Sequence, residues 1–348
     1  MGSHPRVSRL RRVNPNGPGL HRVRRGRGFA YVDDNGGAVT DDAVLARIDA
    51  LVIPPAWQDV WICRSPNGHI QATGVDAAGR RQYRYHDAWR ATRDMAKHER
   101  ILDFAGHLPA MRRQVCADLE RPELDRTRVL SCAVRLLDLG FFRVGSEQYR
   151  TSFGLATIRK EHVRVSRSGM VTFDYIAKSG IRRVQSIAEP EVCAVVTALR
   201  RRKSGGEELL AYRDGKRWVD VRSSDINAHV QELTGFVCTA KDFRTWNATV
   251  LAAVGLAVQQ DVGTVTARKR AVSRVLQEVA HYLGNTPSVC RSSYVDPRVL
   301  DLFDSGVTIR PDLQRLGEGA LPGTPATQGT VEAAVRRLLR AEAATLAS

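Results

Sequence analysis

Four short segments hold the residues whose types and spacing could carry chemistry. Arg143 sits in Gly140-Phe141-Phe142-Arg143-Val144-Gly145-Ser146-Glu147, just beyond an apolar helical run and between two glycines. Lys178 lies in Ala177-Lys178-Ser179-Gly180, a turn signal joining two alternating apolar segments. Lys241 and Arg244 occur in Lys241-Asp242-Phe243-Arg244-Thr245-Trp246 and share one face at the start of a largely apolar helix. Tyr294 ends the run Leu283-Gly284-Asn285-Thr286-Pro287-Ser288-Val289-Cys290-Arg291-Ser292-Ser293-Tyr294 and precedes Asp296-Pro297. Taken singly, each has an ordinary structural reading. Arg143 could cap a helix C-terminus, Lys178 could be an exposed turn residue, and Tyr294 could be a core tyrosine. Charges that lead into a buried helix need partners, so Lys241 and Arg244 leave the structural and functional readings equally open.

Missing motifs narrow the chemistry. There is no phosphate-binding GxxxxGK[ST] loop, no HExxH or HxxxH pattern and no tight Asp-x-Asp cluster. Cys63, Cys116, Cys132, Cys193, Cys238 and Cys290 are scattered, with no CxxC pair and no His at zinc-site spacing. The expectation is a chain that works in a reducing cytoplasm with no metal, no ATP and no other small-molecule cofactor. Charge points to the partner. The 348 residues carry 53 Lys plus Arg against 37 Asp plus Glu, a formal net charge of +16, which draws in polyanions and above all nucleic acid. No apolar run approaches the roughly 20 residues needed to span a bilayer, so no membrane partner is expected.

The elements that must position these residues read as an α+β chain. Residues 1–27 are rich in Arg, Gly and Pro without hydrophobic period, and read as a flexible basic arm. Short alternating segments at 29–32, 60–64 and 69–73, with turn signals at Asn35-Gly36-Gly37 and Pro66-Asn67-Gly68, predict a small β-rich domain over 28–88. Thr40 or Asp41 can cap a short helix ending before Pro54-Pro55. Residues 89–304 then read as a mainly helical domain carrying a small β-hairpin at 171–187. Helices are predicted at 191–203, 225–233, 241–258 and 266–283. Pro287 opens a short helix leading to Tyr294, and Asp296-Pro297 caps and starts the next. Residues 305–330 read as a linker, and 331–346 as one amphipathic helix.

The four segments, in this order and at these separations, resemble type IB DNA topoisomerases, particularly the compact bacterial enzymes similar to the poxvirus one. The resemblance covers residues 28–304 and extends to Ile53-Pro54-Pro55-Ala56-Trp57 and to His69-Ile70-Gln71-Ala72-Thr73-Gly74 with 79–86. It implies the catalytic fold shared by tyrosine recombinases and type IB topoisomerases. It also implies a reversible transfer in which Tyr294 attacks a DNA phosphorus, forming a 3′-phosphotyrosyl link and releasing a 5′-hydroxyl strand. By the same resemblance Arg143 and Arg244 would grip the non-bridging oxygens, and Lys178 would protonate the leaving oxygen. Asn285 falls where many relatives carry His, and its amide can donate a hydrogen bond but cannot titrate.

In the N-terminal part, Gln82, Tyr83, Arg84 and Tyr85 match a strand that contacts the major groove in relatives. Arg80 and Arg81 add positive charge, with His69, Gln71 and Lys241 as further DNA-contact candidates. The implied assembly is a monomer of two domains clamping duplex DNA. A tyrosine recombinase is the nearest rival. Recombinases usually carry His three residues before the second Arg, where this chain has Lys241, and their N-terminal domain is normally helical. A DNA-binding protein without catalysis is the rival from another class.

Overall fold

The computed structural model describes residues 9–148, 151–259, 262–315 and 327–347. Two compact units divide between His98 and Glu99, inside one long helix.

The first unit is built on an antiparallel five-stranded sheet. Its strands are β1 (Leu20–Arg25), β2 (Gly28–Asp33), β3 (Gln58–Ile62), β4 (Ile70–Val75) and β5 (Arg81–Tyr85), in the order β2-β1-β3-β4-β5. Helix α1 (Asp42–Ala50) starts at Asp41, whose carboxylate accepts the Ala43 and Val44 amides. Its Ile48 packs into a small core with Leu20, Val60, Ile62 and Ala72.

Strand β1 corrects the reading of residues 1–27 as a flexible arm. Six residues of β1 pair with β2, while Leu20 and His21 also pair with Ile62 and Trp61 of β3. Arg22 lies 4.1 Å over the Phe29 ring and donates to the carbonyls of Pro54 and Trp57 at 3.1 and 2.6 Å. A basic segment becomes a strand because its cations find carbonyls and a ring far along the chain, which no local pattern reveals.

Helix α2 (Asp87–Leu119) runs into the second unit, where α3 (Arg126–Gly140) is buried along most of its length. An antiparallel sheet follows, in which β7 (Val171–Ile176) lies between β6 (Val163–Val165) and β8 (Arg182–Ile187). Helix α4 (Pro190–Arg201) leads to the hairpin of β9 (Ala211–Asp214) and β10 (Arg217–Asp220). Then come α5 (Ser223–Thr234), α6 (Ala240–Ala257), α7 (Val265–Leu283), α8 (Pro287–Ser293), α9 (Pro297–Asp304), α10 (Arg310–Arg315) and α11 (Thr330–Ala347). One core containing Phe104, Leu136, Phe142, Phe173, Phe243 and Trp246 runs through this unit. Helix α10 falls in the stretch read as linker. Ile309 is buried before it, and the Arg310 side chain caps the α6 carbonyl of Ala257 at 2.8 Å. Of that stretch, residues 316–326 lie outside the described residues.

Helix α11 is joined to α2, α3 and α6 through buried charge. Glu332 accepts from Arg112 at 2.5 Å and from the Trp246 indole at 2.7 Å, and Arg112 also pairs with Asp138 at 2.8 Å. Asp138 receives Arg135 as well, which forks onto Glu189. Removing one member of such a group strands its partners without water, at a cost of about 3–5 kcal/mol. Glu332→Ala is therefore expected to lower unfolding free energy by about that amount. Urea denaturation followed by tryptophan fluorescence checks it.

Candidate active site

The site assembles at the C-terminal end of α7. That helix is held into the core by Ala271, Val272, Val275, Leu276, Val279 and Leu283 at helical spacing. Gly284 ends it at φ +61°, a conformation costly for residues with a Cβ. The Gly284 amide bonds the His281 carbonyl at 3.1 Å and the Asn285 amide bonds Ala280 at 3.0 Å, the paired closure of a Schellman motif. Asn285 is thereby fixed directly after the helix.

Three arginines converge on this end. Arg143 donates through one nitrogen to the Gly284 carbonyl at 3.1 Å and to Asn285 Oδ1. Arg244 donates to the Leu283 carbonyl at 2.8 Å and to the Phe141 carbonyl. Arg183, from β8, donates to the carbonyls of His281, at 2.9 Å, and Tyr282. Four successive backbone carbonyls thus each face a guanidinium. The helix end carries about half a negative charge, which makes it a natural seat for cations.

Local structure explains how each arginine arrives. Phe142 is fully buried against Phe173 and Tyr175 of β7, at ring separations of 5.0 and 6.2 Å, so the next residue, Arg143, leaves the core wall in a fixed place. Beyond it the loop crosses so close to residues 154–156 that a Cβ on Gly154 would lie 2.4 Å from the Gly145 Cα. Arg244 rides on α6, whose first turn is closed by the Thr239 amide on Asp242 at 2.8 Å and by Arg100 forked onto the same carboxylate at 2.6 and 3.0 Å.

Tyr294 completes the cluster. Thr286 caps α8 with Pro287 at its first turn, and the Tyr294 amide bonds Cys290 at 3.0 Å. The buried Thr249 hydroxyl donates to the Tyr294 carbonyl at 3.3 Å and accepts the Asp296 amide at 3.1 Å, pinning the chain on both sides of Val295. The ring is only 8 % exposed and lies 5.2 Å under the Arg244 guanidinium. Burial pushes the phenol up, but Arg244, Arg143 and Lys241 outweigh it and leave the pKa below its ordinary value. Burial also lowers Arg244, to about 10. At this site two buried donors, Arg244 Nε and Asn285 Nδ2, have no hydrogen-bond partner among the described residues. Orphaned donors are rare in protein interiors and suit an incoming anion.

Of the sequence candidates, Arg143, Arg244, Asn285 and Tyr294 come together directly, and Lys241 is near enough for its charge to act on the phenol. Lys178 lies exposed in the turn between β7 and β8. Arg183 was not singled out from sequence. Its signal was available: a turn centred on 178–180 sets Arg183 opposite Tyr175, on the face that Val171 and Phe173 bury.

Residues 86–305 match the family described as Eukaryotic DNA topoisomerase I, catalytic core, and residues 28–76 match Bacterial DNA topoisomerase IB, N-terminal domain. The chain belongs to the type IB DNA topoisomerase family. DNA topoisomerase 1B of Acanthamoeba polyphaga mimivirus is 32% identical over 300 residues, covering 82% of this chain and 88% of the relative. DNA topoisomerase 1 of Daucus carota is 31% identical over 129 residues, 36% of this chain and 15% of the plant protein. DNA topoisomerase 1 alpha of Arabidopsis thaliana is 23% identical over 66% of this chain and 25% of its own length. The arginine–tyrosine cluster lies wholly within the segment matching the topoisomerase catalytic core.

In this family member the N-terminal candidates divide. Strand β5 is an edge of its sheet, and its exposed Tyr83 and Tyr85 stack with ring centroids 6.0 Å apart. Arg81 is exposed on the same face and bonds Asn16, while Arg84 and Gln82 are half-buried on the other. Arg80 pairs with Asp76 at 2.8 Å, and Gln82 donates to the same carboxylate at 2.9 Å. Gln71 is a correction. It is buried, its amide nitrogen donates to the carbonyls of Ser65, Pro66 and Gly68, and its oxygen accepts from Arg47. Its polar groups are spent inside the unit on holding the 65–68 turn. His69 is half-buried, with Nδ1 accepting the Val13 amide at 3.1 Å and its ring edge-on to Trp89.

Proposed function

We propose that this protein relaxes supercoiled duplex DNA by cutting one strand through Tyr294 and rejoining it, without ATP. One observation carries the reading: a buried, pre-acidified phenol under a guanidinium, beside a second arginine and two orphaned donors. Tyr294 gives up its phenolic proton to water, and its Oη attacks a backbone phosphorus and becomes bonded to the 3′-phosphate. The bond to the 5′-oxygen breaks, and that oxygen takes a proton from Lys178. Arg143 and Arg244 hold the non-bridging oxygens as charge builds, with Asn285 Nδ2 as an added donor. The phosphodiester link to tyrosine keeps the energy of the broken bond, so the 5′-hydroxyl can reverse the step once the duplex has turned.

Asn285 stabilises charge here and takes no part in proton transfer, because an amide does not titrate near neutrality. The exposed face of β5, with Arg81, Tyr83 and Tyr85, supplies phosphate and base-edge contacts, joined by Arg80, Arg84 and Lys241. The protein acts as a monomer on duplex DNA.

Plasmids of either supercoil sign are expected to relax in EDTA without nucleotide, with the rate falling steeply at high salt as phosphate contacts release counterions. Gel analysis of topoisomers checks this. A wild-type protein that binds the plasmid yet leaves both signs supercoiled overturns the proposal.

A further inference from the structure

We propose that Arg183 is a positioning residue: it bolts the hairpin that carries Lys178 onto the end of α7, and so sets the proton donor against the phosphate site. The inference rests on the reading of Lys178 as the acid, and it adds a residue to that step.

The β7–β8 hairpin is closed by the Ala177 amide on the Ile181 carbonyl at 2.8 Å, with Ser179 held at φ 68° in the turn. Its outer face is internally satisfied, Arg182 forking onto Asp174 at 2.8 and 2.7 Å. Arg183 behaves differently. Its fork leaves the hairpin and spans two consecutive carbonyls of α7, those of His281 and Tyr282. At the same end, a Cβ on Gly284 would lie 3.0 Å from the Arg183 Cδ, so the arginine stem packs tightly on the turn that presents Asn285. Across the hairpin Arg183 pairs with Tyr175, whose phenol is buried and held up at about 12, mainly by that burial.

Helix capping accounts for only part of this. The Schellman bonds from Gly284 and Asn285 already close the His281 and Ala280 carbonyls, so of the two carbonyls under the fork only that of Tyr282 depends on Arg183 for a cap. What the fork adds is a two-point joint between hairpin and helix. A planar guanidinium on two carbonyls fixes orientation as well as distance, whereas a lysine ammonium would fix distance only. Lys178 lies five residues away through a turn of set register, so tilting the hairpin about this joint displaces the Lys178 backbone.

The test uses single-turnover cleavage of suicide duplexes by the full chain, with either oxygen or sulfur bridging at the scissile 5′ position. A thiolate leaves without being protonated, so a defect in proton delivery vanishes on the sulfur substrate. Arg183→Ala is expected to slow cleavage of the oxygen substrate by roughly tenfold to a hundredfold, part of what general-acid catalysis contributes. It should leave the sulfur substrate within about twofold, since no proton is delivered there. Arg183→Lys, which keeps the charge and loses the fork, should fall between wild type and Arg183→Ala. Lys178→Ala with Arg183→Ala should be no slower than Lys178→Ala alone. Equal slowing on both leaving groups, or a further loss in the double variant, overturns the proposal. If Arg183→Ala melts below the assay temperature, Arg183→Lys against the two leaving groups decides by the same criterion. A failure of the parent reading looks different: wild type forms no adduct, or Lys178→Ala cleaves the oxygen substrate at the wild-type rate.

Discussion

Tyr294→Phe is expected to give a folded, DNA-binding protein that forms no covalent adduct and relaxes no plasmid. The substitution removes one oxygen from a ring whose position is set by other means. Its backbone is tied to Cys290 and Thr249, and its face is packed under Arg244. A phenyl ring fills the same space and keeps the aliphatic and cationic contacts, so little stability should be lost. The proposed nucleophile, however, is gone. Incubation with a suicide duplex followed by denaturing electrophoresis reads the outcome directly. A persistent protein–DNA band at wild-type intensity would transfer the nucleophile to another residue.

Arg244→Ala is the second large effect, expected to reduce the single-turnover cleavage rate by at least a hundredfold, or about 3 kcal/mol of transition-state stabilisation. Three functions leave with the one side chain. The proposed buried donor to the phosphate is lost, the charge that lowers the Tyr294 pKa is removed, and the Leu283 and Phe141 carbonyls lose their guanidinium. The sign of the second effect is definite. Without Arg244 the phenol titrates higher, so raising the pH should recover part of the activity of Arg244→Ala. Arg244→Lys should recover less than charge alone suggests, because an ammonium cannot span two carbonyls and a phosphate in one plane. Cleavage rates across pH 6–10 for both variants check the assignment, and a pH-independent deficit would remove the phenol-activating role.

Much of this site was legible because it is built from local signals. Thr286 and Pro287 start α8, Asp296 and Pro297 start α9, and Tyr294 has to lie between them whatever the tertiary context. The apolar spacing of α6 and α7 likewise fixes which face of each is buried, and so where Arg244 leaves the core. The parts that escaped depend on partners distant in sequence. Strand β1 looks like a basic tail until β2 and β3 flank it and Arg22 finds Phe29. Gln71 looks like a groove-reading side chain until the carbonyls of the 65–68 turn close around its amide. Arg182 and Arg183 are the same residue type side by side. Only hairpin register sends the first to Asp174 and the second to the end of α7. Helix α10 sits in a Gly/Pro-rich stretch where the buried Ile309 and the partly buried Leu313 make too short an apolar pattern to stand out.

The row of carbonyls at the end of α7 has a consequence for selectivity. Arginines facing a helix C-terminus already hold a built-in rival for any anion, since the peptide dipoles offer them partial negative charge at fixed distance. An arriving phosphate must share or displace those bonds, so it gains only the difference between the two partners. Small free anions, with nothing else to grip, should therefore occupy the site poorly at cellular concentrations. A phosphate embedded in a long duplex is delivered by many other contacts and can meet that toll. On the proposed reading, the tethered rival is expected to act as a filter, keeping Tyr294 clear of stray phosphate until a strand of DNA is laid across it.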